Sequence, residues 1–135
     1  MASRKLEDLL PHVQAKAEQF LAECKKADID VLIYCTYRSY EEQEAEYAKG
    51  RTAAGKIVTN AKGGESAHNW HRAFDCVPLL NGRAQWSDNE LYQKIGAIGK
   101  RVGFEWGGDW KFTDKPHFQM LDGMTIKQIR DNGNG

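Results

Sequence analysis

The 135-residue sequence has no apolar run long enough to cross a bilayer, no excess of either charge, and only three cysteines and three prolines. Each absence excludes something. A membrane-spanning helix needs about 20 consecutive apolar residues, so no stable membrane insertion is expected. Lys plus Arg equals Asp plus Glu at 19 each, which leaves no basic field to gather nucleic acid. The opening MASRKLEDLL places acids where a secretory signal would carry its apolar core, so no signal peptide and no export by the general secretory route are expected. Cys24, Cys35 and Cys76 are odd in number, widely spaced and flanked by apolar neighbours. They read as small core residues suited to a reducing cytoplasm rather than as a disulfide framework or a zinc knuckle.

What remains is the composition of a globular protein, 41% apolar and 28% charged, with a length suited to one domain over residues 1–135. Leu6, Leu9, Leu10, Val13, Ala17, Phe20, Leu21 and Cys24 recur at helical spacing, predicting an amphipathic first helix from Leu6. His12 lies beside that stripe with no second histidine nearby in the sequence and reads as a surface or boundary residue. DVLIYCT, Asp30 to Thr36, has the length and β-branched character of a buried strand. Ser39 with Glu42 forms a capping box and Gly50 a stop, predicting a helix over Ser39 to Lys49. A loop over 51–65 leads into AFDCVPLL, a strand candidate that Asn81 and Gly82 turn back as a hairpin. SDNE, Ser87 to Glu90, reads as a second capping box for a helix closed by Gly103. FEW and HFQML are further strand candidates, TIKQIRD is a short amphipathic segment, and the Asn/Gly tail after about residue 130 should fray.

The chemistry concentrates in SAHNWHRAFD, Ser66 to Asp75, which holds two histidines and an aspartate in ten residues. Zinc takes imidazole nitrogen and carboxylate oxygen, and a catalytic zinc keeps three protein ligands and an open place for water. His68, His71 and Asp75 are the local candidates. The helical H-E-x-x-H signature is absent, since positions 69 and 72 are Asn69 and Arg72. As a strand, Phe74 and Cys76 face one way and Ala73, Asp75 and Val77 the other. DKPHF, Asp114 to Phe118, supplies a third ligand in His117 and, three residues before it, a carboxylate able to take a proton from water. Two histidine-bearing loops also occur without a metal, and the pattern alone leaves both readings open. Arg38, at a strand–helix junction, could clamp a carboxylate with two parallel hydrogen bonds; from position alone a surface ion pair with Glu41 or Glu42 is the simpler reading.

Ser66-x-His68-x-x-x-x-Ala73-x-Asp75, followed by GFEWGGDWKFTDKPHFQM, resembles the VanY-type zinc D-Ala-D-Ala carboxypeptidase and L-alanyl-D-glutamate endopeptidase family, which includes small single-domain phage endolysins. The resemblance runs from YRS to Met120. It implies an α+β fold in which a small antiparallel sheet packed with helices holds a single catalytic Zn2+, as in the Hedgehog and D-Ala-D-Ala peptidases. By the same resemblance His68, Asp75 and His117 are the metal ligands and Asp114 the general base. Arg38 becomes the residue that binds substrate and stabilises the oxyanion, Ser66 orients the loop or touches substrate, and Trp106 and Trp110 line the cleft. The family usually carries glycine at the position of His71, so either the turn is reshaped or His71 has its own role, such as a hydrogen bond to substrate or to a ligand. The implied activity is cleavage of the L-Ala to D-Glu bond in the peptidoglycan stem peptide by a monomer that waits in the host cytoplasm until lysis and then meets the wall. A D-Ala-D-Ala carboxypeptidase and a non-catalytic zinc-bearing module are the alternatives.

Overall fold

The computed structural model describes residues 2–132. The fold is α+β. Five antiparallel strands run β1 (Asp30–Cys35), β2 (Ala73–Leu80), β3 (Arg83–Ala84), β4 (Glu105–Trp106) and β5 (His117–Gln119), in the order β1-β2-β5-β4 with β3 paired to β2. The helices are α1 (Pro11–Lys26), α2 (Tyr40–Ala48), α3 (Asn89–Val102) and α4 (Ile126–Asp131).

The first helix begins later than the apolar stripe predicts. Pro11 stands at its first turn and Leu6–Asp8 forms a separate 3₁₀ turn. A proline has no N–H to give and its ring clashes with the preceding turn, so it opens a helix but does not continue one. Val13, Ala17, Phe20 and Cys24 form the buried face of α1. Phe20 meets Phe74 and Phe118 at ring-centroid distances of 5.3 and 5.0 Å, and Phe74 stacks on its cross-strand partner Phe118 at 5.2 Å. Such neighbouring strand pairs are the unit of sheet stabilisation.

The strand β1 is an edge rather than a buried strand, with Asp30 and Leu32 exposed and only Cys35 fully buried. An apolar run alone does not separate an edge strand from a central one. The hairpin after β2 is as expected, with positive φ at both Asn81 (52°) and Gly82 (76°). The capping box at Ser39 and Glu42 forms with both reciprocal bonds. At α3, however, the cap is Asp88, whose carboxylate accepts from Leu91 N at 3.0 Å, so Ser87 falls one residue outside the helix. Thr125 and Gln128 form a capping box on α4. The expected fraying concerns residues that, from 133 on, lie outside those described.

Two glycines let α3 approach the sheet. A methyl group at Gly96 would meet the Trp106 ring at 2.5 Å, and one at Gly99 would meet Phe118 at 2.4 Å. His12 is exposed, yet an acid distant in sequence finds it: Asp122 sits 2.7 Å from its Nε2 and 2.6 Å from the buried Arg72.

Two outcomes are expected. Gly99→Ala gains up to about 1 kcal/mol of helix propensity but overpacks Phe118 at a cost of about 1–3 kcal/mol, so urea unfolding should show net destabilisation. Burial pushes the Asp122 carboxyl up, but its bonds to Arg72 and His12 outweigh this and hold it below the ordinary range. A depressed carboxylate stabilises fully above its unfolded pKa of about 4 and loses that contribution as pH falls through its lower folded value. The stability gap between the parent and Asp122→Asn should therefore be open at pH 7 and close in acid.

Candidate metal centre

Three elements converge on one carboxylate oxygen. Asp75 lies on the central strand β2, with Cys35 of β1 and His117 of β5 as its cross-strand partners. His68 comes from the 3₁₀ turn Ala67–Trp70, capped by Ser66, whose hydroxyl accepts from His68 N. Asp75 Oδ1 lies 3.2 Å from His68 Nε2 and 3.1 Å from His117 Nδ1. Ligands about 2.0 Å from a tetrahedral ion stand roughly 3.3 Å apart.

The other face of each ring decides which nitrogen is free. His68 Nδ1 is 2.7 Å from the Thr36 carbonyl, which can only accept, so Nδ1 carries a proton and Nε2 is the nitrogen turned to Asp75. His117 Nε2 is 2.8 Å from Gln119 Oε1, and Gln119 gives its own amide proton to Glu105. That amide orientation leaves Nε2–H as donor and turns Nδ1 to Asp75. Orientation of each imidazole through its second nitrogen is how metal ligands are held. His68 Nε2 is buried and, although close to Asp75, is not aligned for a hydrogen bond and has no other partner. A buried nitrogen so placed fits a divalent cation.

Protons show the same electrostatics. Burial disfavours a charge on His68, but the Asp75 carboxylate overrides it and raises the imidazole to about 10. Burial pushes Asp75 up, while His68 and His117 together carry it well below the usual carboxylate range.

Cys35 is a second group within reach, since one ligand atom each from Cys35, His68 and Asp75 lie within 4.8 Å of one another. The sulfur meets His68 at Nδ1, 3.7 Å away, the nitrogen already committed to Thr36. The Nε2 nitrogen faces instead the side of Asp75 and His117.

The remaining residues line a cavity of about 470 Å³ that includes Arg38, Ser66, Trp110 and Asp114 together with His68, Asp75 and His117. Arg38 is not paired with a carboxylate as its position in the sequence implied. Its guanidinium donates to Gln43 Oε1 at 2.7 Å and to Cys35 Sγ at 3.4 Å. Asn69, standing where a metalloprotease helix would carry glutamate, donates to the carbonyls of Arg38 and Ser39 and accepts from Gly64 N and Ser66 N. It ties the histidine turn to the arginine.

Asp114 is placed by a close backbone approach: its N–H donates to Gly107 O at 2.9 Å, and a methyl group at Gly107 would meet Asp114 O at 2.3 Å. Desolvation by the surrounding protein pushes its carboxyl above the ordinary range, with His117, Asp75, His68 and Arg38 as further influences of both signs. Trp110 lies with its ring 5.3 Å from His117 and donates to Glu105. Trp106, expected in the cleft, is instead a core residue that is 2% exposed and donates to Lys115 O.

His71 does not line this cavity. The turn keeps the glycine-like conformation, with φ 60° and ψ 33° at His71, a region in which histidine is enriched among non-glycine residues. Its Nδ1–H donates to Asp8 O at 2.6 Å and its ring stacks on Tyr37 at 4.2 Å. Sequence reasoning missed Thr36, Gln43 and Gln119. Gln119 alone left a trace, lying two residues after His117 and so on the same strand face.

Comparison with known proteins gives the chain a family. The family model described as D-alanyl-D-alanine carboxypeptidase, a group of M15 peptidases, matches residues 59–120, which include His68, Asp75, Asp114 and His117. The chain is 40% identical over 124 residues to the peptidoglycan L-alanyl-D-glutamate endopeptidase CwlK of Bacillus subtilis (strain 168), covering 84% of this chain and 74% of that protein. It is 32% identical over 115 residues to the L-alanyl-D-glutamate peptidase of Listeria phage A118, covering 83% of this chain but only 38% of the phage protein. Among solved structures, the Serratia marcescens L-Ala D-Glu endopeptidase ChiX superposes with a TM-score of 0.66 at 22% identity, over 98% of this chain and 92% of that one, a likeness of fold. The chain belongs to the D-alanyl-D-alanine carboxypeptidase family of M15 peptidases.

Proposed function

We propose that this chain is a zinc metallopeptidase that hydrolyses the L-Ala to D-Glu bond of the peptidoglycan stem peptide, the bond named for the CwlK and phage relatives. The observation that carries the reading is the convergence of His68 Nε2 and His117 Nδ1 on Asp75 Oδ1 in a cavity that also holds Asp114 and Arg38. His68, Asp75 and His117 would hold the ion. When bound, zinc supplies Lewis acidity, lowering the pKa of water toward ~7 and polarising a carbonyl.

The chain's own groups do the rest. Asp114 takes the proton of the attacking water and returns it to the leaving amine, a task suited to a carboxyl raised above its ordinary range. Arg38, held by Gln43 and Cys35, donates to the carbonyl oxygen as negative charge builds there. Ser66 fixes the turn that carries His68, and Trp110 supplies an apolar wall.

One chain supplies every residue of the proposed site, so the reading calls for no second subunit. No helix among the described residues is long and apolar enough to cross a membrane. This accords with a phage-type endolysin that waits in the host cytoplasm and reaches the wall at lysis.

Three measurements test the reading. Mass spectrometry of peptidoglycan fragments digested with and without a chelator should show stem peptides that begin at D-Glu, lost with the chelator; release of terminal D-Ala alone would make the enzyme a carboxypeptidase. Asp114→Asn should keep stoichiometric zinc and lose roughly 10²–10⁴-fold in kcat. Elemental analysis should find zinc lost in His68→Ala and kept in His71→Ala, and the reverse pattern would overturn the ligand set.

A further inference from the structure

The cleft has a second lobe whose chemistry differs from that of the first. It encloses about 500 Å³ and shares Val58, Thr59, Ala61, Glu65, Trp110 and Asp114 with the metal-side cavity. Asn60, Phe112 and Thr113 are added. Arg38, His68, Asp75 and His117 are not part of it, so it extends from Asp114 away from the metal ligands.

Two features describe what this lobe accepts. Its lining has no Lys, Arg or His and includes the carboxylates Glu65 and Asp114, so it repels an anion. Its apolar surface is open to a ligand: Phe112 is 73% exposed and Val58 56% exposed. The wall is also built. Arg51 donates to Tyr47 O, Thr59 O and Asn60 Oδ1, with its guanidinium over the Tyr47 ring at 3.8 Å. That cation is spent behind the wall, and Asn60 is left with its amide N–H groups to donate.

The substrate is polarised about the bond that is cut. Beyond it lies D-Glu with a free carboxylate, followed by further charged groups. Before it lie L-Ala and an N-acetylated muramyl sugar, whose lactyl carboxyl is consumed in the amide to L-Ala, leaving this side neutral. The metal-side cavity sets Arg38 among the carboxylates Glu46, Glu65, Asp75 and Asp114, whereas the second lobe has no cationic side chain, so the anionic side finds its partner beside Arg38 and the neutral side belongs in the second lobe.

We propose that the second lobe receives the N-acetylmuramyl side of the substrate, with Phe112 as a specificity-determining contact stacked against the sugar or its acetamido group. Asn60 donates to a carbonyl of the same unit. The proposal rests on the reading that the chain cuts between L-Ala and D-Glu. It fixes the direction in which the stem peptide crosses the site.

The test compares two soluble substrates on the zinc-loaded protein: N-acetylmuramyl-L-Ala-D-Glu-diaminopimelate and the same tripeptide carrying only an N-acetyl group. Phe112→Ser, at a position exposed enough to leave folding intact, should raise KM for the muramyl substrate roughly three- to tenfold. It should leave kcat, and both constants for the acetyl tripeptide, unchanged. An equal rise for both substrates, or for neither, overturns the proposal. If the parent protein cuts neither substrate, the cleavage reading fails on its own, and titration of tryptophan fluorescence with N-acetylmuramyl-L-alanine amide decides the lobe. Saturable quenching weakened by Phe112→Ser supports it; equal binding by both proteins, or none by the parent, refutes it.

Discussion

The pairing register of β2 fixes the core and the site together. Phe74 lies opposite Phe118 and Asp75 opposite His117, so adjacent residues of one strand serve opposite faces. Phe74 and Phe118 stack against Phe20 of α1, while Asp75 meets the two imidazoles. Side chains alternate with a period of two, so a slip of one residue would exchange the phenylalanines with the ligands. The glycines of α3 belong to the same constraint. By admitting the Trp106 and Phe118 rings where a methyl group would not fit, Gly96 and Gly99 let the helix clamp β4 and β5 in the register that delivers His117.

A site built on one buried carboxylate has an electrostatic problem. Asp75, with a side chain 15% exposed, needs compensating positive charge. Without an ion that charge comes from a proton on His68, which is why His68 rises and Asp75 falls. A divalent cation would supply it more fully, with His68 and His117 as the neutral rings that would hold it. Thr36 O and Gln119 Oε1 serve both states, because each holds the outward N–H whichever occupant the inward nitrogen meets.

Much of this was legible in the sequence where chemistry is written in side-chain identity. Both histidine motifs stood out as residues, and the capping box at Ser39, the hairpin at Asn81 and the stop at Gly103 are local events that a few neighbours decide. The parts that were not legible depend on partners distant in the chain. The edge position of β1 follows from strand order, which its own six residues do not encode. Trp106 and Trp110 are near neighbours in the sequence, yet one fills the space opened by Gly96 and the other borders the cleft. Ser87 and Asp88 compete for one cap, and the choice depends on where α3 docks. The Thr36 contact is made by a backbone carbonyl, to which the residue's identity gives no clue.

His71 shows how a departure from the family pattern can be absorbed. A left-handed conformation costs a non-glycine residue roughly 1–2 kcal/mol, and here the side chain returns comparable interactions by stacking on Tyr37 and donating to Asp8 O. The consequence reaches the metal ligands. The segment that His71 anchors runs beside residues 36 and 37: Thr36 N donates to Ser3 O, Ser3 N to Tyr37 O, and the Thr36 hydroxyl to Lys5 O. The carbonyl of the same Thr36 fixes the His68 ring. A glycine at position 71 would relax the turn but would release the imidazole that fastens this segment from the far side of the ligand-bearing turn. His71 thus packs outside the cleft, against the segment whose backbone also bonds to Thr36 and Tyr37.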